Sequence, residues 1–139
     1  FNVSSMADLG TGAGFPGLVV EIFNKNKAFH VKLYEKSPVK RRFLTSVIKE
    51  LSLNAEVLGD VRDEVIDSEI IICRAFKKLD QIIQVSREIA QKPHKLMILK
   101  GQNAQEEIKN SFKTKKYPYK LESSMTNKDS KIILMEINK

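Results

Sequence analysis

The sequence predicts an α/β fold: a mostly parallel sheet with helices on both faces, finished by an antiparallel hairpin. Three observations carry this. Short apolar segments of strand length alternate with longer segments whose apolar residues recur at helical spacing. A glycine-rich loop joins the first strand to the first helix, where open α/β sheets bind ligands beyond the carboxyl ends of their strands. The last two strand-like segments have only residues 123–131 between them. That is too short for a parallel crossover, so the last strand should run antiparallel to its neighbour.

Each element has its own warrant. Residues 3–8 form a short strand ending in Asp8, and residues 18–23 a helix stopped near Asn24 and Asn26. Residues 29–34 alternate apolar and polar side chains, as a strand does. Pro38 opens the next helix, because its missing N–H would be unsatisfied there anyway. Phe43, Leu44, Val47, Ile48 and Leu51 then recur at helical spacing, which extends the helix over Pro38–Leu51. Ala55–Leu58 is a brief strand and residues 70–73 a compact apolar one. Leu79–Ile89 returns to helical spacing through Leu79, Ile82, Ile83 and Ile89. Residues 96–99 form a buried strand, 104–112 a short helix, and 117–122 and 132–137 the terminal hairpin.

At 139 residues the chain makes one domain, residues 1–139, with 42% apolar residues. No apolar run approaches a membrane span, and no secretory signal pattern is visible. A lone cysteine, Cys73, excludes an internal disulfide and a cysteine-built zinc site, so a reducing cytoplasm is the expected setting. His30 and His94 lack ligand spacing, and no metal is expected. The net charge of +7 favours a polyanionic partner, although an AT-rich genome that writes lysine often would produce the same excess.

The chemistry concentrates in Asp8-Leu-Gly-Thr-Gly-Ala-Gly-Phe-Pro-Gly17. Gly10, Gly12 and Gly14 let a ligand approach the backbone closely, and the helix that follows offers free N–H groups to an anionic group. Two adenosine cofactors fit. Gly12-Ala-Gly14-Phe-Pro-Gly17 satisfies the dinucleotide fingerprint G-x-G-x-x-G, with Glu35 where a ribose-binding acid belongs. Asp8, two residues before the first glycine, gives instead the D-x-G-x-G-x-G of S-adenosylmethionine-dependent methyltransferases. The terminal hairpin and the lack of room for a second catalytic region favour methyl transfer over an NAD-dependent oxidoreductase. The fold expected is therefore that of a class I methyltransferase, a Rossmann-like sheet.

The loop, with its Gly-Phe-Pro-Gly ending, closely resembles the signature of the glucose-inhibited division protein B family, the ribosomal small-subunit methyltransferase G group. Further matches follow in order: Lys40-Arg-Arg-Phe-Leu44, Arg62-Asp63-Glu64, Arg74-Ala75-Phe76 and Leu99-Lys100-Gly101. The resemblance implies methylation of N7 on one guanine of 16S ribosomal RNA, with S-adenosylmethionine as donor and naked RNA or the small subunit as partner. It implies cofactor contacts at Gly10, Phe15, Arg62, Asp63 and Arg74, the contact at Arg62 through its backbone. Family members carry a helical segment before the first strand. Here the strand begins almost at Phe1, so that segment is expected to be absent from residues 1–139. An RNA-binding module that has lost activity is the non-enzymatic alternative, and the chain is expected to be a monomer.

Guanine N7 has a free lone pair, so no general base is required and none is assigned. Asp8 is expected to fix the methionine end of the cofactor, or to brace the loop by capping its N–H groups. Glu35 accepts from the ribose hydroxyls, or is a surface acid. Asp63 lies at the adenine edge, or is a helix N-cap. Phe15 walls the cofactor, or packs in the core. Arg74 braces the pocket with Asp8 or Glu35, or reaches RNA. Lys100 holds a phosphate or the guanine, or snorkels from a strand end. Lys40, Arg41 and Arg42, with Lys36, Lys77 and Lys78, form a phosphate-binding rim, although such charge runs are usually solvated faces. Cys73 is expected to be a buried small hydrophobe. Tyr117 and Tyr119 stack on a base or pack at a strand edge.

Overall fold

The computed structural model describes residues 3–74, 77–113 and 115–138. Phe1, Ala75 and Phe76, named above, lie outside them. Among the described residues seven strands form one sheet: β1 (Ser5–Leu9), β2 (His30–Tyr34), β3 (Ala55–Leu58), β4 (Ile70–Arg74), β5 (His94–Lys100), β6 (Tyr119–Ser123) and β7 (Lys131–Ile137). Their order is β3-β2-β1-β4-β5-β7-β6. The first five are parallel, while β7 runs antiparallel to both β5 and β6. The expected parallel sheet with an antiparallel ending is thus present. Strand order reverses between β1 and β4, where ligands of such sheets sit.

Among the described residues four helices cover the sheet: α1 (Gly17–Phe23), α2 (Pro38–Leu51), α3 (Leu79–Ile89) and α4 (Ala104–Ser111). Because side chains alternate across a strand, each central strand feeds two cores. Ala7, Leu9, Ile71, Cys73, Leu96, Ile98, Ile133 and Met135 meet Leu79, Ile82 and Ile83 of α3 and Ile108 of α4. Met6, Val31, Leu33, Ile70 and Ile72 meet Leu18 of α1 and Leu44 of α2 on the other face.

Several bounds differ from the expectation for physical reasons. β5 extends to His94 and Lys100 because β7 pairs along its whole length, from His94↔Ile137 to Lys100↔Lys131. β6 begins at Tyr119 rather than residue 117, since Pro118 has no N–H to donate to a ladder. On α2, Leu44, Val47 and Ile48 turn inward, whereas Phe43 and Leu51 are half exposed. Phe43 sits one residue, about 100°, round from the buried stripe. Leu51 falls in the last turn, just before Ser52 ends the helix in the left-handed region at φ 52°. Between β3 and β4 the alternation breaks: a single 3₁₀ turn, Val61–Asp63, stands where a crossover helix would be. Asp60 makes that turn by accepting from the backbone N–H of Arg62 at 3.1 Å.

Candidate cofactor site

The glycine loop is held from beneath by Asp8, whose side chain is fully buried. Its Oδ2 accepts from Thr11 Oγ1 at 2.7 Å and from the backbone N–H of Gly17 at 2.8 Å. Oδ1 is buried without a hydrogen-bond partner among the described residues. Burial pushes the Asp8 carboxyl up to about 6, against the pull of Thr11, Gly17 and the nearby Arg74 charge. Of the two expectations for Asp8, the geometry displays the loop brace: its bonds all go to the loop and to the first residue of α1. Gly17 is glycine because a methyl there would collide with Leu33 Cδ2 and come within 2.8 Å of Asp8 Oδ2.

Above this brace Gly10, Gly12 and Gly14 all take positive φ, at 68°, 61° and 97°. A side chain at Gly12 would also approach Arg74 Nη2 at 3.2 Å, so the Arg74 guanidinium lies over the loop. Phe15 precedes a cis peptide to Pro16 and is 55% exposed, which rules out core packing for its ring.

Glu35 is buried, not a surface acid. Its Oε2 accepts from Gly12 N–H at 2.8 Å and its Oε1 from Ser37 N–H at 3.0 Å. One carboxylate thus links the end of β2 to the glycine loop and to the N-cap of α2. Beside it opens a cavity of about 240 Å³, lined by Leu9, Gly10, Tyr34, Glu35, Lys36, Gly59, Asp60, Val61, Arg62, Lys77 and Val85. It lies at the carboxyl ends of β1, β2 and β3. Tyr34 is pushed up to about 12 by burial and by surrounding acids, chiefly Glu64, so it remains a neutral phenol.

The far rim differs from expectation. Asp60, which the sequence reading passed over, lines the cavity and caps the 3₁₀ turn; Asp63 is the last residue of that turn, exposed, and not its N-cap. Arg62 folds back on Asp60, with Nε donating to both carboxylate oxygens at 3.1 Å and Nη2 to Oδ2 at 2.5 Å. These bonds hold the Asp60 carboxyl well below its usual range. Lys36 Nζ adds a contact at 3.6 Å. Gly59-Asp60 at the end of a strand was the available signal, since an acid after a strand-end glycine sits on the ligand-binding edge.

The basic residues separate. Lys40 and Arg42 are exposed on α2. Arg41 is half-buried, and its Nη1 donates to the carbonyls of Glu35 and Lys36 at 2.9 and 2.7 Å, which makes it a brace for the β2–α2 turn. Lys100 is a correction: it neither snorkels nor faces solvent, but is buried against Glu107. Cys73 is buried, and burial raises its thiol to about 12. Tyr117 packs against Phe112 and accepts from Arg87 Nη1 at 2.9 Å, and Tyr119 meets Phe112 edge-on, the packing alternative rather than an open stacking platform. Among the described residues no group of three His, Cys, Asp or Glu could hold a metal, and no helix is long and apolar enough to cross a membrane.

Comparison with known proteins agrees with this architecture. The chain is 32% identical to ribosomal RNA small subunit methyltransferase G of Pelagibacter ubique, over 99% of its own length and 66% of that protein's. It is 39% identical to the Mesoplasma florum protein of the same name, over 88% of this chain and 52% of that one. It thus spans between half and two thirds of the length of these curated relatives. Among solved structures, a SAM-dependent methyltransferase from Aquifex aeolicus superposes with a TM-score of 0.72 at 12% identity, covering 96% of this chain and 82% of that one. A putative rRNA-methylase from Clostridium thermocellum gives 0.67 at 10% identity, covering 96% and 86%. These structural likenesses show the fold, and the family model for GidB, rRNA small subunit methyltransferase G, matches residues 1–133. Sheet order, glycine loop and a match of that extent agree, and the chain belongs to the GidB family, rRNA small subunit methyltransferase G.

Proposed function

We propose that residues 1–139 form the catalytic domain of an S-adenosylmethionine-dependent methyltransferase that acts on N7 of a guanine in 16S ribosomal RNA. The observation that carries the cofactor reading is the cavity at the carboxyl ends of β1–β3, bounded by a glycine loop at positive φ and by the buried Glu35. The names of the relatives support the RNA substrate. The family match favours methyl transfer over the dinucleotide reading of the same loop. On this reading the protein is a cytoplasmic monomer, and its partner is 16S ribosomal RNA or the small subunit.

When bound, the cofactor supplies an electrophilic methyl group on a sulfonium. The chain's own part is alignment and electrostatics. Gly10, Gly12 and Gly14 offer backbone without side-chain obstruction, and Arg74, whose guanidinium lies by Gly12, would hold the cofactor's carboxylate. Glu35 has lone pairs left after Gly12 and Ser37 to accept from ribose hydroxyls, and those two N–H groups fix its orientation. Asp60 and the backbone at Arg62, which line the cavity, would serve the adenine edge, with Asp63 next in the turn, and the exposed Phe15 would supply an apolar wall. Asp8 acts indirectly, through the loop. Lys40 and Arg42 take RNA phosphates. No residue has to remove a proton, because N7 attacks with a free lone pair.

Titration calorimetry with S-adenosylmethionine, its demethylated product and NAD tests the cofactor. Binding of the first two is expected, and tight NAD binding with no response to them would overturn the reading. Transfer of labelled methyl to undermodified small subunits tests the activity. An unlabelled RNA, with cofactor demonstrably bound, would favour an RNA-binding module without catalysis.

A further inference from the structure

An ion pair next to this site, with its lysine buried, has no part in the mechanism above. The Lys100 side chain, at the carboxyl end of β5, is only 6% exposed. Its Nζ lies 2.7 Å from Glu107 Oε2 on α4 and donates to the backbone carbonyl of Lys77 at 3.1 Å. The same Glu107 oxygen accepts from the backbone N–H of Leu79 at 3.3 Å. Leu79 opens α3, and Lys78 in the N-cap position provides no side-chain hydrogen bond. Glu107 therefore supplies, from another helix, an acceptor for the first N–H of α3, which the N-cap residue does not. Lys77 in turn lines the cavity.

Two ionic side chains thus hold the backbone on either side of Lys78, one at a carbonyl and one at an N–H. Lys100 is buried and Glu107 partly exposed; an ion pair with a buried partner adds little net stability compared with well-packed apolar residues of the same volume, so fixed geometry is what it best supplies. The backbone it fixes, Lys77–Leu79, leads into α3, and Lys77 lies at the edge of the cavity.

Resting on the methyltransferase reading, we infer that Lys100 and Glu107 are positioning residues for methyl transfer. They clamp the backbone at Lys77 and Leu79 against the end of β5, and so set the rim across which the target guanine meets the methyl donor. Neither touches the donor or the base.

The test uses the full-length protein and the double variant Lys100→Met/Glu107→Leu, which removes both charges without stranding one. Its melting temperature should stay near wild type and its S-adenosylmethionine affinity within about three-fold, while kcat on undermodified small subunits falls roughly 10- to 100-fold. Exchange of the Leu79 amide hydrogen, followed by NMR, should quicken. Wild-type kcat in the double variant would overturn the proposal, as would a loss of kcat that merely tracks lost cofactor affinity. Glu107→Asp keeps the charge but withdraws it by one methylene, and covers the case of a double variant that fails to fold. It should lower kcat at least about five-fold without moving cofactor affinity, and unchanged kcat would count against the clamp. A wild-type protein that binds cofactor but transfers no methyl overturns the activity and the clamp together. An active wild type with an equally active double variant overturns the clamp alone.

Discussion

Asp8 is the residue on which the glycine loop turns, and its burial makes a pH prediction. Its folded pKa, about 6, lies above the ordinary value of 3.8. A group raised in this way contributes stability that is fully present below the unfolded value and is lost as pH rises through the folded one. A rise from 3.8 to about 6 corresponds to about 3 kcal/mol. Asp8→Asn keeps an oxygen for Thr11 and Gly17 but cannot ionise. Urea unfolding should find the variant at least as stable as wild type at pH 8, with the gap closing below pH 4; a gap independent of pH would refute the assignment. Gly12→Val meets both a φ of 61° and the Arg74 guanidinium. It should abolish S-adenosylmethionine binding by calorimetry while leaving the far-ultraviolet dichroism unchanged, and undiminished affinity would move the site elsewhere. At this scale the sequence was legible where backbone conformation or an acid at a strand end forces the residue type, as at Gly10, Gly12, Asp8 and Glu35. It misled where a side chain's direction decides. Lys100 read as a contact to phosphate or guanine or as a snorkelling strand end, and Arg41 as part of a phosphate-binding rim, yet each is turned onto protein partners that no spacing rule reveals.

Helix α2 separates two kinds of cation that look alike in the run Lys40-Arg41-Arg42. Arg41 ties down the carbonyls of Glu35 and Lys36, so Arg41→Ala should loosen the turn carrying Glu35 and weaken cofactor affinity several-fold. Lys40→Ala and Arg42→Ala should leave cofactor affinity alone. Each should lower RNA affinity and reduce the slope of log K against log salt by about 0.7–0.9. Filter binding across a salt series checks this, and equal behaviour of all three variants would deny the distinction. Most elements were legible because periodicity and the breakers Pro38, Asn24 and Asn26 are local signals. The 3₁₀ turn at Val61–Asp63 was not, since it rests on one Asp60 side-chain hydrogen bond. The full length of β5 was hidden for the opposite reason: its ends are set by a distant partner strand, through His94↔Ile137 and Lys100↔Lys131.

For the molecule as a whole, the two faces of the sheet are closed to different degrees. Ile98 is fully buried under α3 and α4, whereas its neighbours Met97 and Leu99, and Leu134 on β7, are only partly covered on the other face. Ile98→Ala should lose about 2–5 kcal/mol by urea unfolding, and Leu134→Ala distinctly less. Equal losses would mean that both faces are sealed alike. The strand order carries a further consequence, for synthesis. β7 leaves the ribosome after β6, yet it lies between β6 and the rest of the sheet. A nascent chain stalled at Ser130 has β5 with an open edge and β6 with no strand to join. The sheet therefore cannot close in order of emergence: β6 must wait, exposed, for the segment that follows it.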